Sequence, residues 1–109
     1  MSGKTARIRA LNDALRTNLV GGSVMMTDGV NGLHPDVKLT ALDNMQSFDT
    51  FTVDNDPHGE HDFGSFDLAG QKFFWKIDYY DTSLRGGSED PSDPTMTARV
   101  LTLMFAEEY

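Results

Sequence analysis

Residues 71–80 read Gln71-Lys72-Phe73-Phe74-Trp75-Lys76-Ile77-Asp78-Tyr79-Tyr80, and their pattern decides the fold. Side chains alternate across a strand, so Phe73, Trp75, Ile77 and Tyr79 share one face while Phe74, Lys76, Asp78 and Tyr80 share the other. One face is suited to a core, and on the other Lys76 and Asp78 need partners if they are covered. Just before this run, Ala69-Gly70-Gln71 makes a hairpin-like turn back to HDFGSFDL (61–68), a strand with Phe63, Phe66 and Leu68 as its apolar positions. Beyond it, TSLRGGSEDPSDPT (82–95) is a polar loop whose length is unusual inside a compact domain. The last stretch, TARVLTLMFAEEY (97–109), is long enough for a helix. Its alternation of Val100, Thr102, Met104 and Ala106 with Leu101, Leu103 and Phe105 instead favours a largely buried strand paired with 71–80.

The N-terminal half has helical spacing. Ile8, Leu11, Leu15 and Leu19 line one face of a helix over 5–20, with Arg7, Arg9, Asp13 and Arg16 as its solvated face. Thr5 or Ser2 caps the start and Gly21-Gly22 stops it. SVMMT (23–27) is a short β-like run, and the turn-rich DGVNG follows. Pro35 suits the first position of a second helix over 35–47, whose buried face is approximated by Val37, Leu39, Leu42 and Met45. FDTFTV (48–53) has the content of another strand, broken by DNDPHG. The expected fold is therefore α+β: a single domain over 1–109, with two N-terminal helices packed on an antiparallel sheet of about four strands. A terminal strand ending at Tyr109 would leave an edge open for pairing with a second copy, making a homodimer a further expectation.

Composition narrows the function classes. The 109 residues include eleven aromatics, enough to build a core, and no cysteine, which excludes disulfides, thiolate metal sites and a cysteine nucleophile. No apolar run reaches the roughly 20 residues of a spanning helix, and the N-terminus lacks the apolar stretch of a secretory signal. We expect a soluble cytoplasmic protein with no membrane partner. Seventeen acids against nine bases give a formal charge of −8. The first 20 residues are basic, with Lys4, Arg7, Arg9 and Arg16 against Asp13, whereas twelve acids between Asp43 and Asp93 face only Lys72, Lys76 and Arg85. Such a surface repels phosphates and attracts basic partners, so direct binding of nucleic acid is disfavoured.

Several blocks stand together in order: Asn55-Asp56-Pro57, Glu60-His61-Asp62-Phe63-Gly64, Trp75 through Asp81, the Ser88–Pro94 loop, and Arg99-Val100-Leu101-Thr102 with Met104 and Glu108-Tyr109. From about Arg7 to Tyr109 the chain resembles a bacterial family known only as a domain of unknown function and found on plasmids and other mobile elements. The resemblance supplies no catalytic residues. It implies genomic company: small proteins carried beside transfer, defence and anti-defence functions.

The densest polar segment is Asp54–Asp62. As a calcium loop it has Asp54, Asp56 and Gly59 in place, but His58 stands at the fifth position and Ser65 where a bidentate glutamate belongs. As a transition-metal site, His58, Glu60 and Asp62 would share a strand face, with His61 opposite and His34 as a distant imidazole. No fixed ligand spacing is present, and no cofactor is expected. The candidates for acid–base chemistry are Glu60, His61 and Asp78, provided burial separates their pKa values. No nucleophile elbow or phosphate loop occurs.

Two functions compete with the homodimeric structural module. The first is a non-enzymatic acidic interaction protein, in its concrete form a mobile-element-borne inhibitor or modulator of a nucleic-acid-binding defence complex. It would present Asp54, Asp56, Glu60, Asp62, Glu89, Asp90 and Asp93 to a basic protein surface in place of phosphates. The second is a small metal-dependent enzyme or metal-binding protein using His58, Glu60, His61, Asp62 and Asp78.

Overall fold

The computed structural model describes residues 3–109. Along the chain come α1 (Gly3–Asn18), β1 (Ser23–Met26), a one-turn α2 (Asp28–Asn31), α3 (Pro35–Ser47), β2 (Phe63–Leu68), β3 (Gln71–Tyr80), β4 (Ala98–Phe105) and a closing 3₁₀ turn, Ala106–Glu108. The strands form one sheet in the order β1-β4-β3-β2. β3 pairs antiparallel with both neighbours, placing Trp75 between Gly64 and Leu103, and Tyr79 opposite Arg99. Ala69 and Gly70 both take positive φ, 53° and 78°, as the tight turn between β2 and β3 demands.

Alternation sorts the sheet into two faces, as the spacing of 71–80 predicts. Phe73, Trp75 and Ile77 of β3, with Leu101, Leu103 and Phe105 of β4, are buried against Leu15 of α1, Val30 of α2, and Ala41 and Met45 of α3. All three helices contribute to this single core.

Several expectations need correction. The sheet is mixed, because β1 pairs parallel with β4, Met25 lying opposite Thr102. β4 is consequently an interior strand, and the open edges belong to β1 and β2. The 48–53 run forms no strand: Phe48 and Phe51 pack edge-on to Trp75 at 5.6 and 6.2 Å, so these aromatics plug one side of the core. Leu39 is exposed, and Ala41 takes the buried position on α3. Arg16, expected on a solvated face, is buried, as is Asn12. α1 stops at Leu19, which adopts φ 58° before Gly21 is reached. Of its proposed caps, Ser2 lies outside the described residues and Thr5 sits inside the helix.

Candidate functional site

The 54–64 segment is fastened to α1 by the His61 side chain and by the Gly59 and Glu60 carbonyls, which accept from Arg9 and Asn12. His61 holds φ 55°, which turns its ring flat onto Phe51 at 3.7 Å. Its Nδ1 lies 2.8 Å from Asp13 and its Nε2 3.6 Å from Asp56, whose other oxygen accepts the His61 backbone N–H at 3.1 Å. Arg16 donates to the carbonyls of Met45, Gln46 and Phe48 at 3.4, 3.1 and 2.7 Å, satisfying acceptors that the end of α3 leaves open. Its guanidinium also lies over Phe51 and Trp75 and reaches Asp13 at 3.2 Å.

A second network crosses the core boundary. Tyr79 donates its hydroxyl proton to Glu60 at 2.7 Å and accepts from Asn12 Nδ2 at 2.8 Å. Asn12 also donates to the Glu60 carbonyl and accepts from Arg99 Nε at 2.8 Å. Arg99 completes the set by donating to the Pro91 carbonyl and lying over the Tyr79 ring. Burial, and then donation to Glu60, push the Tyr79 hydroxyl above its ordinary pKa. Burial and the neighbouring Glu60 likewise raise the Asp62 carboxyl. Both shifts arise at groups packed against their neighbours.

The long polar loop is ordered by its own side chains. Asp93 accepts from the Thr95 N–H and hydroxyl at 2.9 and 2.7 Å, and Asp90 accepts from the Ser92 N–H and lies 3.6 Å from Lys4. Hydrogen bonds from Ser92 and Thr95 hold these carboxyls below their ordinary pKa values. Of the seven proposed contact carboxylates, only Asp54 and Glu89 are exposed; the others are partly covered. Asp56 is the extreme case, its side chain 6% exposed.

The helix-free face of the sheet carries a concavity of about 660 Å³. It runs along β4 over Val100, Thr102 and Met104, with Met25 on one flank and the Lys76–Asp78 ion pair, 2.8 Å long, on the other. Tyr80 and Leu84 stand at one end and Glu108 and Tyr109 at the other. Glu108 ties the 3₁₀ turn to α2: it accepts from Thr27 Oγ1 at 2.6 Å, Phe105 N at 2.8 Å and Gly29 N at 3.3 Å. These bonds hold its carboxyl below its ordinary pKa, the Thr27 hydroxyl contributing most.

The proposed catalytic set is not assembled. Glu60 meets Tyr79 on the helix side, whereas Asp78, one residue earlier on β3, faces the opposite groove. The metal candidates have other settings: the His61 ring nitrogens face Asp13 and Asp56, His58 is exposed, and His34 accepts from Asp36 N at the start of α3. Among the described residues no three histidines or acids are grouped to hold a metal. Ser65 sits in β2 and Asp56 is turned to His61, so the calcium-loop spacing does not close around an ion. Sequence reasoning missed Asn12, Arg16 and Arg99 as buried polar anchors; their only signal was position on the apolar side of their elements. It also missed the groove, because Met25, Leu84 and Tyr109 come from segments with no local reason to meet.

A family model described as "Protein of unknown function (DUF3768)" matches residues 26–108. No curated protein and no solved structure matches the chain. The matched span covers α2, α3, β2, β3 and β4 and only the last residue of β1, while α1, which supplies Asn12, Asp13 and Arg16 to the two networks, lies before it.

Proposed function

For a chain that belongs to the protein of unknown function (DUF3768) family, we propose a non-enzymatic role: an acidic module that docks on a basic protein surface. One observation carries this reading. Two of the nine bases, Arg16 and Arg99, are only 3% and 2% exposed, so the contact surface offers fewer cations than the sequence count implies. The long-range field remains that of a −8 body, which speeds encounter with a cationic partner and opposes phosphate. The carboxylates that tie down their own loops serve as scaffold in this reading, and the exposed Asp43, Asp49, Asp54 and Glu89 make the contacts.

In its finer form the partner is a nucleic-acid-binding defence complex and the chain is an inhibitor borne by a bacterial mobile element, acting in the cytoplasm. That form draws support from the resemblance in Asn55–Gly64 and Trp75–Asp81 and from the anionic surface. No helix is long and apolar enough to cross a membrane among the described residues. The test is a pull-down from host lysate at low and high salt, with the wild-type chain and a variant carrying Asp43→Asn, Asp49→Asn, Asp54→Asn and Glu89→Gln. A partner released by salt and lost with the variant is the expected result. Capture indifferent to both changes, or no capture at all, ends the reading.

A further inference from the structure

We propose that the helix-free face of the sheet is a docking groove for an amphipathic, lysine- or arginine-bearing helix of a partner protein. This rests on the interaction reading above and adds to it a surface and an occupant. The two faces of the sheet share the same strands, yet helices pack on only one; on the other, Tyr109 packs on Phe63 and Phe74 and leaves the groove beside them open. On that face, Met25, Leu84 and Tyr109 are 55%, 64% and 76% exposed around a floor of Val100 and Met104. Large apolar side chains gathered about a concavity, and not scattered singly, mark an interaction surface.

Length and charge select the occupant. From Val100 to Met104 the floor extends about 14 Å, which matches about nine residues of α-helix. That is the span of an i, i+3, i+4, i+7 apolar stripe, the usual way a helix enters a groove. Within the groove the one cation, Lys76, is already paired to Asp78. Glu108 is held by a hydroxyl and two backbone N–H groups, with no cation among its described partners. The exposed carboxylates Asp28 and Glu107 adjoin Thr27 and Glu108 in sequence. Flanking lysines or arginines on the incoming helix would complement this rim. A second copy of the chain would instead bring another −8, and net repulsion opposes it.

The test uses the full chain and a labelled synthetic peptide of about 18 residues, leucines at helical spacing and lysines elsewhere. Its controls are the same composition scrambled and a version with glutamates for lysines. Backbone amide shifts map the site, and fluorescence anisotropy gives the affinity over a salt series. Expected are shifts centred on Met25, Val100, Thr102 and Met104, and binding weakened about tenfold or more by Met25→Lys or Leu84→Lys. Both positions are exposed, so these variants retain the fold, which amide dispersion verifies. Equal binding of the glutamate or scrambled peptide overturns the proposal, as does a dimer in sedimentation that Met25→Lys dissociates. Binding that responds to Asp54→Asn with Glu89→Gln, but to neither groove variant, removes the groove and leaves the acidic-module reading standing. Failure to bind any peptide also overturns the groove, while the lysate test of the module stands separately.

Discussion

The two faces of one four-stranded sheet are finished differently. On the helix side, buried Trp75, Leu101 and Leu103 meet three helices, and the polar groups trapped there, Asn12, Arg16 and Arg99, each have several partners. On the other side the same strands present valine, threonine, methionine and one ion pair to an open groove, with no helix packed over them among the described residues. The contrast separates two uses of similar side chains. Hydrogen-bonded polar groups on the covered face specify how α1 and the 51–62 segment dock. On the open face Tyr109 packs edge-on to Phe63 and Phe74, but Met25 and Leu84 stay exposed beside the groove.

Mutations can break or sharpen that contrast. The largest effect is expected from Arg99→Ala, which leaves the Asn12 Oδ1 and the Pro91 carbonyl without their donor in a buried site. A loss of about 3 kcal/mol is expected in urea unfolding, and Arg99→Lys recovers little, because an ammonium lacks the planar fork that spans both acceptors. Gly64→Ala comes next. An added Cβ would sit 2.4 Å from Trp75 Nε1, so the indole or β2 must shift, at a cost of about 2 kcal/mol. Wild-type stability in either variant would show that the covered face is less tightly determined than described.

The pH responses of two acids have opposite signs. The Asp62 carboxyl is raised, chiefly by burial, so the native state holds its proton more tightly than the unfolded chain does. Its contribution to stability therefore falls as pH rises from the ordinary value of 3.8 through the raised native value. Asp62→Asn should flatten that part of the profile and gain under about 1 kcal/mol at pH 7, the group being only partly covered and so screened by solvent. Glu108, lowered chiefly by Thr27, contributes above its ordinary value of 4.5 and loses the contribution as pH falls through the native value. Glu108→Gln should remove that acid-side loss, read as a smaller drop in thermal midpoint between pH 5 and 3 (about one unit either side of a carboxyl's ordinary value). The smallest effect is expected from Leu84→Ala on the rim of the open face: within about 0.5 kcal/mol of wild type, with any consequence confined to binding.

Much of the fold was legible because periodicity is local. The alternation in 71–80, the Ala69-Gly70 turn and Pro35 at the head of α3 each read correctly from a few neighbours. Phe48 and Phe51 misled for the same reason: aromatic content indicates burial, and burial against Trp75 requires no strand. In the candidate site, the 54–62 acids were correctly singled out as a dense group. The links of Glu60 to Tyr79 and of Glu60 and His61 to α1 join residues about 20 to 50 positions apart, which no local pattern encodes.

The two long helices, the four strands of the sheet, the inward face of β3, the acidic balance and the exclusion of cysteine chemistry all follow from the amino-acid sequence, because each depends on composition or on spacing within a single element. Tertiary structure alone decided that β1 lies parallel beside β4, that Arg16 and Arg99 are interior, that Glu60 and Asp78 face opposite ways, and that helices pack on only one face of the sheet. The physical reason is that pairing between distant segments is selected by the free energy of the assembled core, to which every element contributes at once.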